Sequence, residues 1–191
     1  KGITITSSDK SGQYYGMQTL LQLFPAEIYS EDNLRIKEYP IDVLTIEDAP
    51  RFPYRGFMLD VSRTFFDLDY LRNYIDWMSS HKLNRLHLHL TDDNGWRIEI
   101  KKYPELTRKG AWRGQNELLP PTYLSGAERY GGYYTQKEMK ELIAYAQERN
   151  VMIIPEFDLP GHARSSTAVF GDVTCGTHTD KPSACGEFDN V

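Results

Sequence analysis

Three apolar segments of this sequence each end in a group of side chains that can move protons or bind polar ligands. The groups are Asp60 with Arg63; His87 and His89 with Asp92 and Asp93; and Glu156 and Asp158 with His162. Carboxylates and imidazoles serve as general acids and bases, and a guanidinium binds vicinal hydroxyls or a carboxylate. Because buried carboxylates are costly unless they are paired or used, we expect the groups to share one site.

Asp158 and His162 form the most informative pair. The preceding run, Val151 to Ile154, is short and apolar, which is typical of a strand buried on both faces. Pro160-Gly161 excludes a helix between the two residues, but a turn there would fold the imidazole toward the carboxylate. Such a dyad would fix one tautomer of the ring and raise its basicity. The alternative is a histidine that bonds only locally at the start of a helix.

His87 and His89 are two residues apart, so they lie on one face of a strand. A pair with this spacing begins the metal site of some zinc hydrolases, which makes a metal-dependent hydrolase an alternative function. Histidines that only fill a barrel interior are favoured over this, since no second histidine cluster follows. For Arg63, the alternative to ligand binding is an ion pair with Asp60 or Asp67.

Strands and helices alternate after Pro53, which predicts a parallel sheet with helical crossovers. The predicted strands are 57–61, 83–90 and 151–158. The first helix is predicted to have Asp69 as its N-cap and Leu71, Tyr74, Ile75 and Met78 on its buried face. The second is predicted to start at a capping box of Thr135 and Glu138, to bury Met139, Leu142, Ile143 and Ala146, and to end at Asn150.

Residues 91–134 form a connection far longer than the usual loop of about 4–6 residues. The connection contains Trp96 and Trp112 and follows the second strand, so we expect it at the same edge of the sheet as the end of the third strand. In an α/β barrel, the carboxyl ends of the strands are where active sites are built. The sequence therefore predicts a functional loop here.

The first 50 residues follow a different pattern. Gly2 to Ser7 and Ile41 to Ile46 alternate as strands, and apolar residues from Tyr14 to Phe24 have helical spacing up to Pro25. A break at 48–53 places a domain boundary there. We expect residues 1–50 to be the end of a small α+β domain and residues 51–191 to belong to a second domain.

The composition excludes several classes of protein. Of 191 residues, 40% are hydrophobic and 26% charged, and the net charge is −5, which argues against binding to nucleic acid or to an anionic membrane. No apolar run approaches the roughly 20 residues of a membrane span. The 13 tyrosines and 3 tryptophans serve either core packing or a sugar-binding cleft. Cys175 and Cys185 are either free thiols or a disulfide suited to an exported protein.

Several motifs resemble family 20 glycoside hydrolases, the β-N-acetylhexosaminidases. YRGFMLDVSRTFF, NRLHLHLTDDNGWRIEIKKYPELT and IPEFDLPGH are similar to the first three barrel strands of that family, and YYGMQTLLQLFP is similar to the end of its accessory domain. A departure is Asn94, where the family often has Gln. The resemblance implies an α/β fold made of the first three βα units of a (β/α)8 barrel.

The resemblance also implies a function: exo-acting hydrolysis of terminal β-linked GlcNAc or GalNAc by substrate-assisted, retaining catalysis, without a cofactor or metal. It implies that Arg63 binds the sugar's 3- and 4-hydroxyls, that Asp92 (with Asp93 the weaker choice) joins the active-site network, and that Asp158 and His162 support the general acid. The partner is then a glycan or glycoconjugate with a terminal N-acetylhexosamine. Export to the periplasm, cell surface, lysosome or medium is expected.

The catalytic pair of the family is an Asp-Glu dipeptide after the fourth strand, and this sequence contains no Asp-Glu dipeptide. Three of eight strands can be counted, and the part after Pro53 is shorter than a typical barrel of about 250 residues. We therefore expect the parent protein to be the enzyme and this chain alone to be inactive. The alternative is an inactive carbohydrate-binding fragment, which would need the rest of the barrel as a partner.

Overall fold

A computed structural model describes residues 2–30, 38–122 and 125–170. Cys175, Cys185 and His178 lie outside these ranges, so a disulfide and two free thiols both stay alternatives for the cysteines. None of the helices in the described ranges is long and apolar enough to cross a membrane.

The elements alternate along the chain as the sequence predicts after Pro53. In order they are α1 (Lys10–Gln22), a 3-10 helix (Ala26–Tyr29), β1 (Gly56–Asp60), α2 (Leu68–Ser80), β2 (Arg85–His89), β3 (Thr91–Asp92), β4 (Gly95–Trp96), α3 (Glu105–Arg108), β5 (Trp112–Arg113), β6 (Tyr130–Gly131), α4 (Gln136–Glu148), β7 (Met152–Glu156) and α5 (Arg164–Thr167). β1, β2 and β7 form a parallel sheet in the order β1-β2-β7. Their carboxyl ends therefore meet at one edge, as predicted.

The two faces of this sheet differ in chemistry because side chains alternate along each strand. Leu86 and Leu88 are fully buried and join the core with the buried residues of α2 and α4. His87 and His89 point to the opposite face, as their spacing predicts, and both contact Glu156 of β7. One face of the sheet thus forms the core and the other carries polar groups toward the strand ends.

Helix α2 begins earlier than predicted. Asp67, not Asp69, is its N-cap: the Asp67 backbone is extended and its carboxylate accepts the amide of Tyr70. Asp69 lies inside the first turn, where its negative charge interacts favourably with the helix dipole and pairs with Arg72. The predicted buried face is confirmed for Leu71, Ile75 and Met78, and Tyr74 packs against the same core.

Helix α4 begins with the predicted capping box, in which Thr135 and Glu138 bond each other's backbone amides. Its residues Met139, Leu142 and Ala146 are buried, whereas Ile143 is 37% exposed and lies off the buried face. Asn150 follows the last turn with a φ of 57°, the left-handed conformation that ends many helices.

The two strands predicted before residue 50 are wrong. Neither Gly2–Ser7 nor Ile41–Ile46 belongs to a strand of the described structure, because a strand exists only where its backbone pairs with a neighbour and neither segment pairs. The predicted helix is α1. It contacts the carboxyl ends of α2 and α4, through a Tyr14–Ser79 hydroxyl bond and a 2.9 Å bond from Ser11 to Asn150. A domain boundary near residue 50 stays a prediction.

Candidate active site

The register of the parallel sheet aligns three ionisable residues at its carboxyl edge. Asp60 of β1 is the partner of His89 of β2, and His89 is the partner of Glu156 of β7. Aligned residues of neighbouring parallel strands point to the same face, so the three side chains form one row. The predicted meeting of the three groups at one edge is therefore a property of the strand pairing.

His89 connects two carboxylates within this row. Its Nδ1 lies 2.6 Å from Oε2 of Glu156, and its Nε2 lies 2.6 Å from Oδ2 of Asp92. The hydrogen bond to Asp92 is the largest cause that raises the pKa of His89 to about 9; burial opposes the rise, and Glu156 and Asp60 add to it. This pKa favours the protonated form of the ring at neutral pH.

Asp92, like its neighbour Asp93, is a carboxylate of the site with a fully buried side chain. Its Oδ2 faces His89 and lies 2.9 Å from Nη2 of Arg63, and its Oδ1 accepts the Asp93 amide at 2.6 Å. Burial alone would raise its pKa, but the bonds from His89 and from the Asp93 amide, with the charge of Arg63, lower the pKa below its usual value. Asp92 is an ionised group held in one orientation.

Arg63 lies between two carboxylates, Asp60 at 2.6 Å and Asp92 at 2.9 Å. The ion pair with Asp60 that the sequence left open is present, whereas Asp67 caps α2 instead. The Arg63 side chain remains 24% exposed at the strand ends, so it is both fixed in position and accessible to a ligand. Pairing and ligand binding are thus compatible roles for this residue.

The dyad predicted between Asp158 and His162 is not formed. Nδ1 of His162 lies 3.5 Å from Oδ1 of Asp92 and 4.0 Å from Oδ2 of Asp93, and it makes no contact with Asp158. The reason is the turn: the Asp158 amide is held by Thr91 at 2.9 Å, and the chain then directs His162 toward β3. His162 itself has a φ of 51°, a left-handed conformation that few residues other than glycine adopt. Such residues cluster at functional sites.

Asp158 lies beside the row of ionisable residues. One of its carboxylate oxygens is within 4.8 Å of ligand atoms of His89 and Glu156. Asp92, Asp93 and His162 form a second group with the same spacing. His87, which the metal hypothesis requires, belongs to neither group, and both nitrogens of His89 already face carboxylates. The described residues therefore do not combine His87 and His89 into one metal site.

The long connection 91–134 is fastened to the site by a buried arginine. Arg97 is fully buried, and its guanidinium donates to the carbonyls of Ser62 at 2.5 Å, Ala111 at 2.5 Å and Gly132 at 3.1 Å. Burial, with the nearby charge of Arg113, lowers the pKa of Arg97 to about 10. Arg97 thereby joins the loop to the residue that precedes Arg63.

Three residues that the sequence places in the shared site received no individual role in the predicted sugar-binding network. They are Asp60, His89 as a bridge between carboxylates, and Glu156. Counting the parallel register from the three strand ends would have aligned them, since strands of equal length that end at one edge place their last residues side by side. Arg97 gave no signal of its burial, because charged residues are almost never fully buried.

Comparison with known proteins identifies the family of the chain. The family model described as glycosyl hydrolase family 20, catalytic domain, matches residues 52–190. A β-hexosaminidase of Vibrio furnissii is 46% identical over 87% of this chain and 26% of its own length, and one of Porphyromonas gingivalis is 41% identical over 95% and 22%.

A crystal structure of an exo-β-N-acetylglucosaminidase from Vibrio harveyi, in complex with N-acetylglucosamine, superposes with a TM-score of 0.80 at 38% identity, covering 97% of this chain and 28% of that one. The chain thus spans about a quarter of the length of the proteins it matches. The three-stranded sheet is the start of the (β/α)8 barrel that the sequence predicts. On the family match and on these relatives, the chain belongs to glycosyl hydrolase family 20.

Proposed function

We propose that the protein containing this chain is an exo-acting β-N-acetylhexosaminidase that removes terminal β-linked GlcNAc or GalNAc. The observation that carries the proposal is the position of Asp92, which contacts Arg63 through one oxygen and faces His162 through the other. A sugar-binding group and an ionisable imidazole are thereby held around one buried carboxylate at the strand ends. The names of the relatives support the same activity.

In this proposal the chain described here binds the sugar, and a group outside this chain protonates the leaving glycosidic oxygen. Arg63 donates hydrogen bonds to the 3- and 4-hydroxyls of the terminal residue, since its guanidinium is fixed and remains accessible. His162, oriented by Asp92 and Asp93, lies beside the general acid and tunes its protonation. Asp158 completes the polar surroundings next to Glu156.

We propose that bond cleavage is substrate-assisted and retaining. The oxygen of the substrate's 2-acetamido group attacks C1 while a glutamic acid protonates the leaving oxygen, and water then opens the oxazolinium intermediate. The Asp-Glu pair for these steps is absent from the 191 residues, so it comes from another part of the longer protein. The chain alone therefore lacks the general acid and is inactive.

A set of four p-nitrophenyl glycosides tests the proposal on the full-length protein. We expect release of p-nitrophenol from the β-GlcNAc or β-GalNAc glycoside and almost none from the β-glucoside, which lacks the 2-acetamido nucleophile. The trifluoroacetamido analogue of the β-GlcNAc glycoside should react more slowly than its parent because its oxygen is less nucleophilic. Equal hydrolysis of all four glycosides would contradict substrate assistance, and hydrolysis of none by folded protein would contradict the function.

A further inference from the structure

His89 is the one histidine of the described chain whose two ring nitrogens both lie 2.6 Å from carboxylate oxygens. A neutral imidazole carries one N–H, so it can donate to only one of these oxygens. The second short contact needs a second proton, either on the ring or on one of the carboxyl groups. The side chain is only 6% exposed, so water does not take the place of either contact.

The surroundings of the two carboxylates assign that proton to the ring. Asp92 receives the guanidinium of Arg63 at Oδ2 and the amide of Asp93 at Oδ1, and both are donors that favour an ionised carboxylate. Oε2 of Glu156 also lies 2.9 Å from Nε2 of His87. The pKa of His89, raised to about 9, agrees with this assignment.

The contact between His89 and Asp92 is important because Asp92 also contacts Arg63 and faces His162. Its Oδ2 is shared by His89 and Arg63, and its Oδ1 faces His162. Glu156 at the end of β7 fixes the other side of the ring. An imidazolium at this position therefore connects the end of β7 to both side chains that the proposed function uses.

We propose that His89 is a positioning residue that stays protonated throughout the neutral pH range, an imidazolium between Glu156 and Asp92 that keeps Asp92 oriented toward Arg63 and His162. The kinetic part of this inference rests on the proposed function, and the protonation part does not. The charged and titratable groups around the ring are Asp60, His87, Asp92 and Glu156, from β1, β2, β3 and β7, and Asp158, which follows β7.

The protonation is measured by nitrogen NMR of the full-length protein labelled in histidine, with His89 assigned by its disappearance in His89→Gln. We expect both ring nitrogens to be protonated from about pH 6 to about pH 8, where an unperturbed imidazole with a pKa of about 6.5 would titrate. An unprotonated ring nitrogen at neutral pH would overturn the proposal. This result is independent of whether the protein hydrolyses any glycoside.

The positioning role is measured by the kinetics of His89→Gln, with His87→Gln as the matched control, since the one hydrogen-bond partner of the His87 ring among the described residues is Glu156 and the side chain is more exposed. We expect His89→Gln to raise KM as well as lower kcat, with a loss of about 10–100-fold in kcat/KM, because a small misplacement of binding groups has effects of this size. The control should lose much less.

A residue that only stabilises the fold would lower the fraction of active protein, which lowers kcat and leaves KM unchanged. That pattern in His89→Gln would overturn the positioning role. If His89→Gln does not fold, Glu156→Gln replaces it: removing the charge at the Nδ1 side should move the titration of the His89 ring to lower pH. An unchanged titration in Glu156→Gln would contradict the bridge.

Discussion

Nη2 of Arg63 lies 2.9 Å from Oδ2 of Asp92, so a partly exposed cation at the end of β1 is fixed by a fully buried anion of the loop after β2. Asp60 holds the other guanidinium nitrogen at 2.6 Å. An arginine held on two sides loses little freedom when it binds a ligand, which favours recognition of a rigid pair of hydroxyls. The relationship has consequences that can be measured.

Arg63→Ala should lower kcat/KM of the full-length protein at least tenfold. The change removes charged hydrogen bonds worth about 1.5–3 kcal/mol, and it also releases Asp60 and Asp92 from their cation. The measurement is the rate of p-nitrophenol release from the β-GlcNAc glycoside. Arg72→Ala is the matched control, since Arg72 pairs with an exposed aspartate on α2, Asp69, and should leave the rate unchanged. An unchanged rate in Arg63→Ala would remove Arg63 from the site.

Asp92→Asn should destabilise the protein as well as inactivate it. The substitution keeps the shape of the side chain but removes the charge that His89 and Arg63 share, and the group is fully buried. Loss of charged hydrogen bonds predicts a decrease of about 1.5–3 kcal/mol in the free energy of unfolding, measured by urea denaturation. Asp69→Asn, at an exposed carboxylate, should change it by less than about 0.5 kcal/mol.

Much of the barrel part was predictable because local signals and tertiary structure agree there. The capping box of Thr135 and Glu138 and the periodic apolar faces of α2 and α4 need no distant information. The strand ends could be located because apolar runs stop at charged residues. The two strands before residue 50 could not be predicted in this way, because alternation shows only that a segment can pair, not that a neighbour is present.

The sequence predicted which residues form the site, but only some of the contacts between them. The convergence of Arg63, Asp92 and His162 follows from a parallel sheet, which the sequence indicates. The partner of His162 does not follow from the parallel sheet. The direction of the turn that contains Pro160-Gly161 depends on contacts such as the hydrogen bond from the Asp158 amide to Thr91. Sequence neighbours therefore suggested the wrong carboxylate for the imidazole.

Stability of the full-length protein should depend on pH through the row of ionisable residues. The pKa of His89 is raised to about 9, so its contribution is fully present below its unfolded value of about 6.5 and is lost as the pH rises through about 9. The pKa values of Asp92 and Glu156 are lowered, so their contributions are present above about pH 4 and are lost as the pH falls through the lowered values.

Urea midpoints measured from about pH 3 to about pH 10 should therefore be highest between about pH 5 and about pH 7. His89→Gln should remove most of the decrease on the alkaline side and leave the acid decrease from other carboxylates. An alkaline decrease of equal size in wild type and His89→Gln would show that another group is responsible.

Arg97→Met should destabilise the connection 91–134, because Arg97 is bonded to buried carbonyl groups. The variant has an apolar side chain of similar length, so the carbonyls of Ser62 and Gly132 lose the donor that Arg97 supplies, and the Ala111 carbonyl keeps only the Gly132 amide at 3.3 Å. Each buried polar group left unsatisfied costs about 1–3 kcal/mol. We expect faster proteolysis within residues 91–134 and a rise in KM, because Ser62 precedes Arg63. Arg108→Met, at a side chain that is 70% exposed, is the control.

The isolated 191 residues should neither fold into a stable monomer nor hydrolyse the β-GlcNAc glycoside. Large apolar side chains are exposed along both outer strands of the sheet and on α2: Phe57 is 55% exposed, Met58 50%, Met152 54% and Trp77 69%. β1 and β7 also leave their outer backbone edges unpaired within the described sheet, and open edges with apolar neighbours favour aggregation. Size-exclusion chromatography and calorimetry check this prediction: a soluble monomer with one cooperative thermal transition would contradict its folding half. Hydrolysis by that monomer would contradict the absence of the general acid.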